Sequence, residues 1–358
     1  DPRPWLDHGK WGTNRPLGDA RPTTGEPEPY PFLAAEGEAL HEVPVGPVHA
    51  GIIEPGHFRF TTSGETVVRL EERLGYVHKG VESLMAGADL ARGARLAGRL
   101  SGDATVAYAS AFARAAEAAT GSEAPPRAQA LRALMAELER LANHLGDIGA
   151  ICNDASFALM LAECGILRER ALRAADTAFG HRLMRDRVLP GGVAADLDPA
   201  GSDAISGLLE AIRRRFPALI QLYDSTASPQ DRTVGTGRPA RRRPAFARQF
   251  GAGGHVGRAS GRGFDSRRSP GYAPYDRLDF TVPVLDGGDV DARVWVRIRE
   301  VEQSLGLVDQ LLATLPDGPV RLDLPLAGGE GMALAESFRG DVLVWLRLDA
   351  DGRIARCH

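Results

Sequence analysis

The stretch PPRAQALRALMAELERLANHLGDIGAICND, residues 125–154, decides the fold class. It opens on Pro125-Pro126, the residue type preferred at a helix start, and then places Leu131, Leu134, Leu138, Leu141, Leu145 and Ile148 at intervals of three and four. That spacing predicts a long amphipathic helix with one broad apolar face. The other side carries Glu137, Arg140, His144 and Asp147, also three or four apart, and reads as a solvated face or a stripe of helix-helix ion pairs.

Working outward, Ala-rich and Leu-rich segments of helical period run from residue 71 to about 225, including a second long helix from about Ala155 through Leu189, stopped at Pro190-Gly191-Gly192. Ahead of this helical core, residues 41–70 read as a small antiparallel β region, with HEVPVGPVHAGIIEP, GHFRFTTSG and ETVVRLEERL in turn and a hairpin at Ser63-Gly64. Residues 1–40 hold seven prolines, from Pro2 to Pro31, and read as an extended arm or a disordered tail. Residues 226–275 are rich in Gly, Arg, Ser and Pro, and are expected to be disordered or a functional loop held by a partner. Residues 276–358 return to a helix, DARVWVRIREVEQSLGLVDQLLATLP, and a hairpin turning at Asp351-Gly352. The expected class is therefore α+β, mainly α, with small β regions near both ends. The start at Asp1 and the stop at His358 predict a piece of a longer, C-terminally incomplete polypeptide.

Composition sets the outer limits. With 43% hydrophobic and 25% charged residues the 358-residue chain has enough apolar material for a large core. Forty-three Lys plus Arg against forty-seven Asp plus Glu, a formal net charge of -4, is too balanced for a general nucleic-acid binder. Cys152, Cys164 and Cys357 are few and form no CxxC, which points to a reducing compartment; the first two read as small buried hydrophobes. No window reaches the ~20 apolar residues of a membrane-spanning helix. A P-loop, a nucleotide-binding glycine fingerprint, HExxH and GxSxG are all missing from the sequence.

Three constellations carry candidate chemistry. His49, Glu54, His57 and Arg59 lie within eleven positions of GPVHAGIIEPGHFRF and suit a proton relay or a substrate-lining site, or ordinary roles at hairpin ends. In GYVHKGVE, His78 and Glu82 are four apart and would share a helix face, as an ion pair or a metal edge; a pair alone holds no metal. In GRLSGDATVAYASAF, Ser101 or Asp103 is expected to cap the following helix, and Asp103 also has the charge to hold Arg99 in place.

Six blocks taken in order resemble one family. HEVPVGPVHAGIIEPGHFRF, RLEERLGYVHKGVE, ELERLANHLGDIGAICND, FGHRLMRDRVLPGGV, GRASGRGFDSR and RVWVRIREVEQS follow one another as in large subunits of membrane-bound nickel-iron hydrogenases of the formate hydrogenlyase type. The quinone-site large subunit of respiratory complex I (NADH-quinone oxidoreductase) is a more distant resemblance. The likeness covers roughly residues 41–358.

The resemblance implies a subunit of a membrane-associated redox complex, active only with its partners. It implies an iron-sulfur small subunit and membrane subunits as those partners, and a peripheral place on the cytoplasmic face of the membrane. Glu54 inherits the role of the glutamate that passes protons to and from the metal site, with His49, His57 and Arg59 beside it; His78 and Glu82 would fall near the same cavity. Hydrogenases of this kind hold nickel through two CxxC pairs. In this chain Ser101 and Ala104 stand at the first pair, and the second would lie beyond His358. A hydroxyl and a methyl do not replace soft thiolates, so no metal and no chain-bound cofactor are expected. What is left is the complex I-like option, a quinone pocket to which Arg99, Ser101, Asp103, His78 and Glu82 contribute, fed by an iron-sulfur cluster in a partner subunit. The alternative is a non-catalytic assembly or regulatory protein that keeps the fold.

Overall fold

The structure, a computed structural model, describes residues 31–37, 39–48, 55–76, 78–237 and 243–358. The chain divides into two compact units, residues 1–84 and 85–358.

The first unit is built on an antiparallel sheet of order β1-β2-β3, with β1 at His41–Val48, β2 at Gly56–Ser63 and β3 at Thr66–Arg73. Alternating β-branched and polar residues make these strands, and the register closes at Ser63 opposite Thr66, as the Ser63-Gly64 turn predicts. Pro44 and Pro47 are tolerated because β1 pairs with β2 alone and is an edge strand.

The second unit is helical, with a sheet at its C-terminal end. The helices are α1 (Val81–Met85, at the junction of the units), α2 (Leu90–Ala97), α3 (Thr105–Ala119), α4 (Pro126–Asp154), α5 (Ala158–Phe179), α6 (Pro199–Ser225), α7 (Ala227–Thr233), α8 (Arg243–Gln249), α9 (Gly254–Ala259) and α10 (Val290–Ala313). A two-stranded ribbon, β4 (Val188–Leu189) and β5 (Gly192–Val193), interrupts them, and β6 (Gly329–Ser337), β7 (Gly340–Leu348) and β8 (Ile354–Cys357) close the chain as an antiparallel sheet in that order.

The 29-residue α4 is central, packed by α5 on one side and α10 on another. Leu131, Leu134, Leu138, Leu141, Leu145 and Ile148 are all buried in the main core, each contributing about 1.5–3 kcal/mol by removal from water. Cys152 and Cys164 are buried in the same core, and burial pushes their thiols up to about 11 and about 12, the behaviour of small apolar side chains. The sheet packs on α3 through β6 and β7.

One expectation is corrected and two are narrowed. The second long helix ends at Phe179, ten residues before Leu189, because Gly180 takes the left-handed conformation (φ 70°) that closes a helix, and Pro190-Gly191 instead turns the β4–β5 ribbon. Of the two readings of the polar side of α4, ion pairing holds and solvation does not: Glu137, Arg140 and His144 are buried as deeply as the leucines opposite, and Arg140 and His144 pair with Glu300 of α10. The described part of the Gly/Arg-rich segment is ordered in part within the unit: Arg258, Asp265, Ser266 and Arg267 are buried, and Arg267 pairs with Glu137 on that same side of α4.

Candidate functional site

The connection between α2 and α3 and the β6–β7 turn meet around a polar cavity of about 310 Å³. Ser101, Ala104, Tyr108, Gly253, Ser337 and Arg339 are among its lining residues, and no cysteine is among them. At its edge Ser101 Oγ donates to Asp103 Oδ1 at 2.5 Å, and Arg339 Nη2 lies 2.6 Å from Asp103 Oδ2. Asp103 is buried while Arg339 is 42% exposed, so the pair sits where a buried charge meets solvent and contributes ~1 kcal/mol to stability at most. Its weight lies in position: it fixes a carboxylate and a guanidinium on one wall. Asn143 Nδ2 on α4 donates to the Asp103 carbonyl at 2.6 Å and pins the backbone there.

The sequence chemistry behind this corner differs from the expected capping. The residue before α3 is Ala104, with no side-chain cap, and the N–H groups of Val106 and Ala107 are bound by the Glu139 carboxylate of α4 at 2.7 and 3.2 Å. Asp103 is thereby released to face Arg339. Burial pushes the Glu139 carboxyl up to about 8, although the two N–H donors pull it down, and the neighbouring Asp103 raises it further. The Tyr108 hydroxyl is also raised, by burial first and by Asp103 second. The corner therefore holds, beside the Asp103–Arg339 pair, two groups whose protons are retained at neutral pH.

Arg339 is placed by glycines. Gly254 has φ 55°, and a Cβ there would lie 1.7 Å from the Arg339 carbonyl oxygen; Gly340 has φ 136°, and its Cβ would lie 2.7 Å from the Gly254 nitrogen. Only two residues without side chains let α9 and the β6–β7 turn approach so closely.

Not all of the sequence-derived candidates come together. Ser101 and Asp103 do. Arg99 does not join them: it forms a bidentate pair with Asp186 at 2.6 and 2.8 Å, which corrects its expected pairing with Asp103. His57 and Arg59 are one strand repeat apart on β2. His57 Nδ1 lies 3.3 Å from the Gly46 carbonyl, Arg59 is 3.8 Å from Glu42, and the Phe32 ring sits 5.1 Å from the His57 ring and 3.9 Å under the Arg59 guanidinium. His49 and Glu54 lie outside the described residues. His78 precedes the first turn of α1 and so does not share a helix face with Glu82; both are exposed. Arg339, Tyr108, Asn143 and Glu139 were not foreseen, and only the Arg-Gly step of a hairpin marked Arg339 in the sequence.

Behind this corner lies a second polar system, wholly buried. Glu300 on α10 accepts from His144 Nε2 at 2.6 Å and pairs with Arg258 Nε at 2.7 Å; Arg258 Nη1 reaches Glu336 on β6 at 2.9 Å. Arg267 pairs with Asp265 at 2.7 Å and Glu137 at 2.9 Å, and Glu137 also accepts from Tyr275 and Ser304 at 2.7 and 2.6 Å. Removing ions from water costs several kcal/mol each, and only such multiple pairing offsets it. Among the described residues no three His, Cys, Asp and Glu side chains gather as a metal-holding group.

A helical large-subunit architecture, built on a long central helix and carrying a polar cavity at the end of its second unit, defines a class of redox-complex subunits. The model of the respiratory-chain NADH dehydrogenase 49 kDa subunit family matches residues 147–328. The carbon monoxide-induced hydrogenase of Rhodospirillum rubrum is 33% identical over 321 residues, covering 89% of this chain and 88% of the relative. A subunit of the NADH-quinone oxidoreductase of Syntrophobacter fumaroxidans is 31% identical over 335 residues, with 92% and 89% covered. Formate hydrogenlyase subunit 5 of Escherichia coli is 34% identical over 331 residues; 90% of this chain spans 57% of that protein. Among solved structures, the archaeal membrane-bound sulfane sulfur reductase, a respiratory membrane complex, aligns with a TM-score of 0.81 at 26% identity, covering 92% of this chain and 89% of the other. The chain belongs to the 49 kDa subunit family, and the resemblance and fold class expected from its sequence hold. Its relatives are subunits of membrane-bound hydrogenase and complex I-like assemblies; none of its own described helices is long and apolar enough to cross a membrane.

Proposed function

We propose that this chain is the electron- and proton-handling large subunit of a membrane-associated redox complex, and that its Ser101–Asp103–Arg339 cavity seats a quinone headgroup rather than a nickel-iron centre. The observation that carries the reading is the donor set. At the two positions where the hydrogenase resemblance puts thiolates stand the Ser101 hydroxyl, already donated to Asp103, and the Ala104 methyl. Neither is a ligand for a soft metal, and the set does not fit nickel. It does suit a carbonyl: Arg339 has hydrogen-bond donors on the cavity wall, the Tyr108 hydroxyl keeps its proton, and about 310 Å³ is within the range of small-molecule pockets.

Reduction of a quinone to its quinol consumes two electrons and two protons. In this reading the electrons come from an iron-sulfur cluster of a partner small subunit. Arg339 orients the substrate oxygen and balances charge arriving there, and Asp103 keeps Arg339 aimed into the cavity. Tyr108 is the proton donor in the wall. The complex would place this subunit peripherally on the cytoplasmic face, beside membrane subunits.

The non-catalytic alternative is not favoured, because the relatives' names are those of redox-complex subunits. Affinity purification of the tagged chain from native membranes in mild detergent, with metal analysis, tests the reading. Recovery with an iron-sulfur subunit and polytopic membrane proteins, and with iron but no nickel, is expected; stoichiometric nickel, or recovery alone from the soluble fraction, would overturn it.

A further inference from the structure

The buried polar system contains four carboxylates, Glu137, Asp265, Glu300 and Glu336, against three guanidiniums, Arg140, Arg258 and Arg267, with His144 and Tyr275 as further titratable members. Each is essentially removed from solvent. A buried cluster with one uncompensated negative charge is costly, so the arrangement calls for one bound proton.

Geometry distinguishes the possible carriers. Asp265 receives both Nε and Nη2 of Arg267 at 3.0 and 2.7 Å, the Arg267 backbone N–H at 3.0 Å, and Arg258 Nη1 at 3.3 Å. Glu137 receives Arg267, Tyr275 and Ser304 and lies 3.3 Å from Arg140 Nε. Glu300 faces Arg258, Arg140 and His144. Every one of these oxygens lies beside a cation or accepts from a hydroxyl, Glu300 Oε1 by its 2.7 Å approach to Arg258 Nε without an aligned hydrogen bond, and that keeps the three acids ionised. Glu336 differs. Only its Oε1 meets a cation, Arg258 at 2.9 Å, while Oε2 meets the Ser266 N–H at 2.9 Å and the Ser266 hydroxyl at 3.0 Å, a group that can accept as well as donate. Glu336 is also the member that borders open space. It lines a cavity of about 300 Å³ with Ser110, Arg114, Tyr272, Tyr275 and Ala335, in which the buried Ser110 hydroxyl has no partner among the described residues.

We propose that Glu336 is the protonated member of this network and exchanges that proton with the cavity walled by Ser110, Arg114 and Tyr272. With Glu336 neutral, three ionised acids face three guanidiniums and the core is balanced. The proton on Oε2 is donated to the Ser266 hydroxyl, and Oε1 still accepts from Arg258. The surroundings agree. Burial, then the nearby Asp265, raises the Glu336 carboxyl, although Arg258, Arg267 and Arg140 pull the other way. Burial lowers His144 despite Glu300, and Arg140 and Arg297 lower it further, leaving it neutral and donating to Glu300. His255 is held at about 2 by burial and by Arg297, whose Nη2 is 3.0 Å from its Nε2, so it takes no proton either. Arg297 is itself balanced by Asp147 at 3.1 Å. On the cavity side, Arg114 stacks 4.0 Å over Tyr272 and bonds the Leu334 carbonyl, and Tyr272 accepts from the Glu336 N–H at 3.1 Å.

This assignment does not rest on the quinone reading. It is tested by infrared difference spectroscopy of the purified full chain at pH 7, wild type against Glu336→Gln and Glu336→Met, with exchange into heavy water. The expected result is a protonated-carboxyl band that shifts on deuteration and disappears in both variants, with thermal midpoints within ~4 °C of wild type at neutral pH, since each replaces a neutral side chain by another. A band that survives in either folded variant would overturn the assignment by placing the proton elsewhere. Failure of both variants to fold would also overturn it, because it would mean that an ionised Glu336 is required by Arg258.

Discussion

Asp103, at the entry to α3, and Arg339, in the turn between β6 and β7, meet with a guanidinium nitrogen 2.6 Å from a carboxylate oxygen and join the two ends of the second unit at the rim of its polar cavity. Neither residue is placed by its own element alone. Asp103 is free because Glu139 has taken over the N–H groups of α3, and Arg339 is near because Gly254 and Gly340 let two backbones touch. The expected consequences of substitution follow from that dependence.

Gly254→Ala should disrupt the site without touching it. A methyl 1.7 Å from the Arg339 carbonyl, at a residue with φ 55°, forces the turn and α9 apart. A loss of about 2–4 kcal/mol is expected in denaturant unfolding, together with loss of cavity function equal to that of an Arg339 variant. Wild-type stability in Gly254→Ala would show that the turn is not held this way.

The buried network and the surface pairs should separate by magnitude. Arg258→Ala leaves Glu300 and Glu336 facing each other without their shared cation and should cost about 3–5 kcal/mol. Arg213→Ala breaks a half-exposed pair with Asp309 and should cost no more than ~1 kcal/mol. Equilibrium unfolding of the two variants checks the contrast, and equal losses would contradict it.

Glu139 gives a pH signature. Its folded carboxyl titrates at about 8 and its unfolded one at the ordinary 4.5, so the folded state keeps a proton that the unfolded chain releases. Its contribution is therefore complete below pH 4.5 and is lost progressively as pH rises to about 8. Glu139→Gln should remove that decline, so that the variant gains on wild type by about 3–4 kcal/mol between pH 5 and pH 8. Parallel stability curves would show that the two N–H donors of α3 keep Glu139 ionised.

Leu138→Ala tests the packing of α4. Leu138 is buried between its ladder neighbours in the main core, and truncation should cost about 2–5 kcal/mol by lost burial and the cavity left behind. A smaller loss in unfolding experiments would mean that the core collapses around the site.

The leucine ladder of α4 was legible because a 3.6-residue period is written in the chain itself. The polar stripe beside it was left between water and helix-helix ion pairs for a definite reason: periodicity separates two faces of a helix but does not say whether the second meets water. Its partners, Arg258, Arg267, Glu300 and Glu336, come from α9, the segment after it, α10 and β6, and no local pattern links them to Glu137 or His144. The glycine- and arginine-rich segment was legible as irregular, yet what orders it is charge pairing at long range. Ser101 and Asp103 were found as polar residues just ahead of a helical run, but the cap they were expected to provide comes from Glu139, a helix away. The helix end at Gly180 was missed because the Pro-Gly-Gly signal beyond it looked stronger.

The central claim is tested most directly by electron transfer to a short-chain quinone in the complex isolated with this chain, comparing wild type with Asp103→Asn. The account predicts quinone reduction by the wild-type complex and a roughly 100-fold lower rate in the variant, whose Arg339 is no longer held in place, with subunit composition unchanged. Undiminished quinone reduction by an intact Asp103→Asn complex would contradict it.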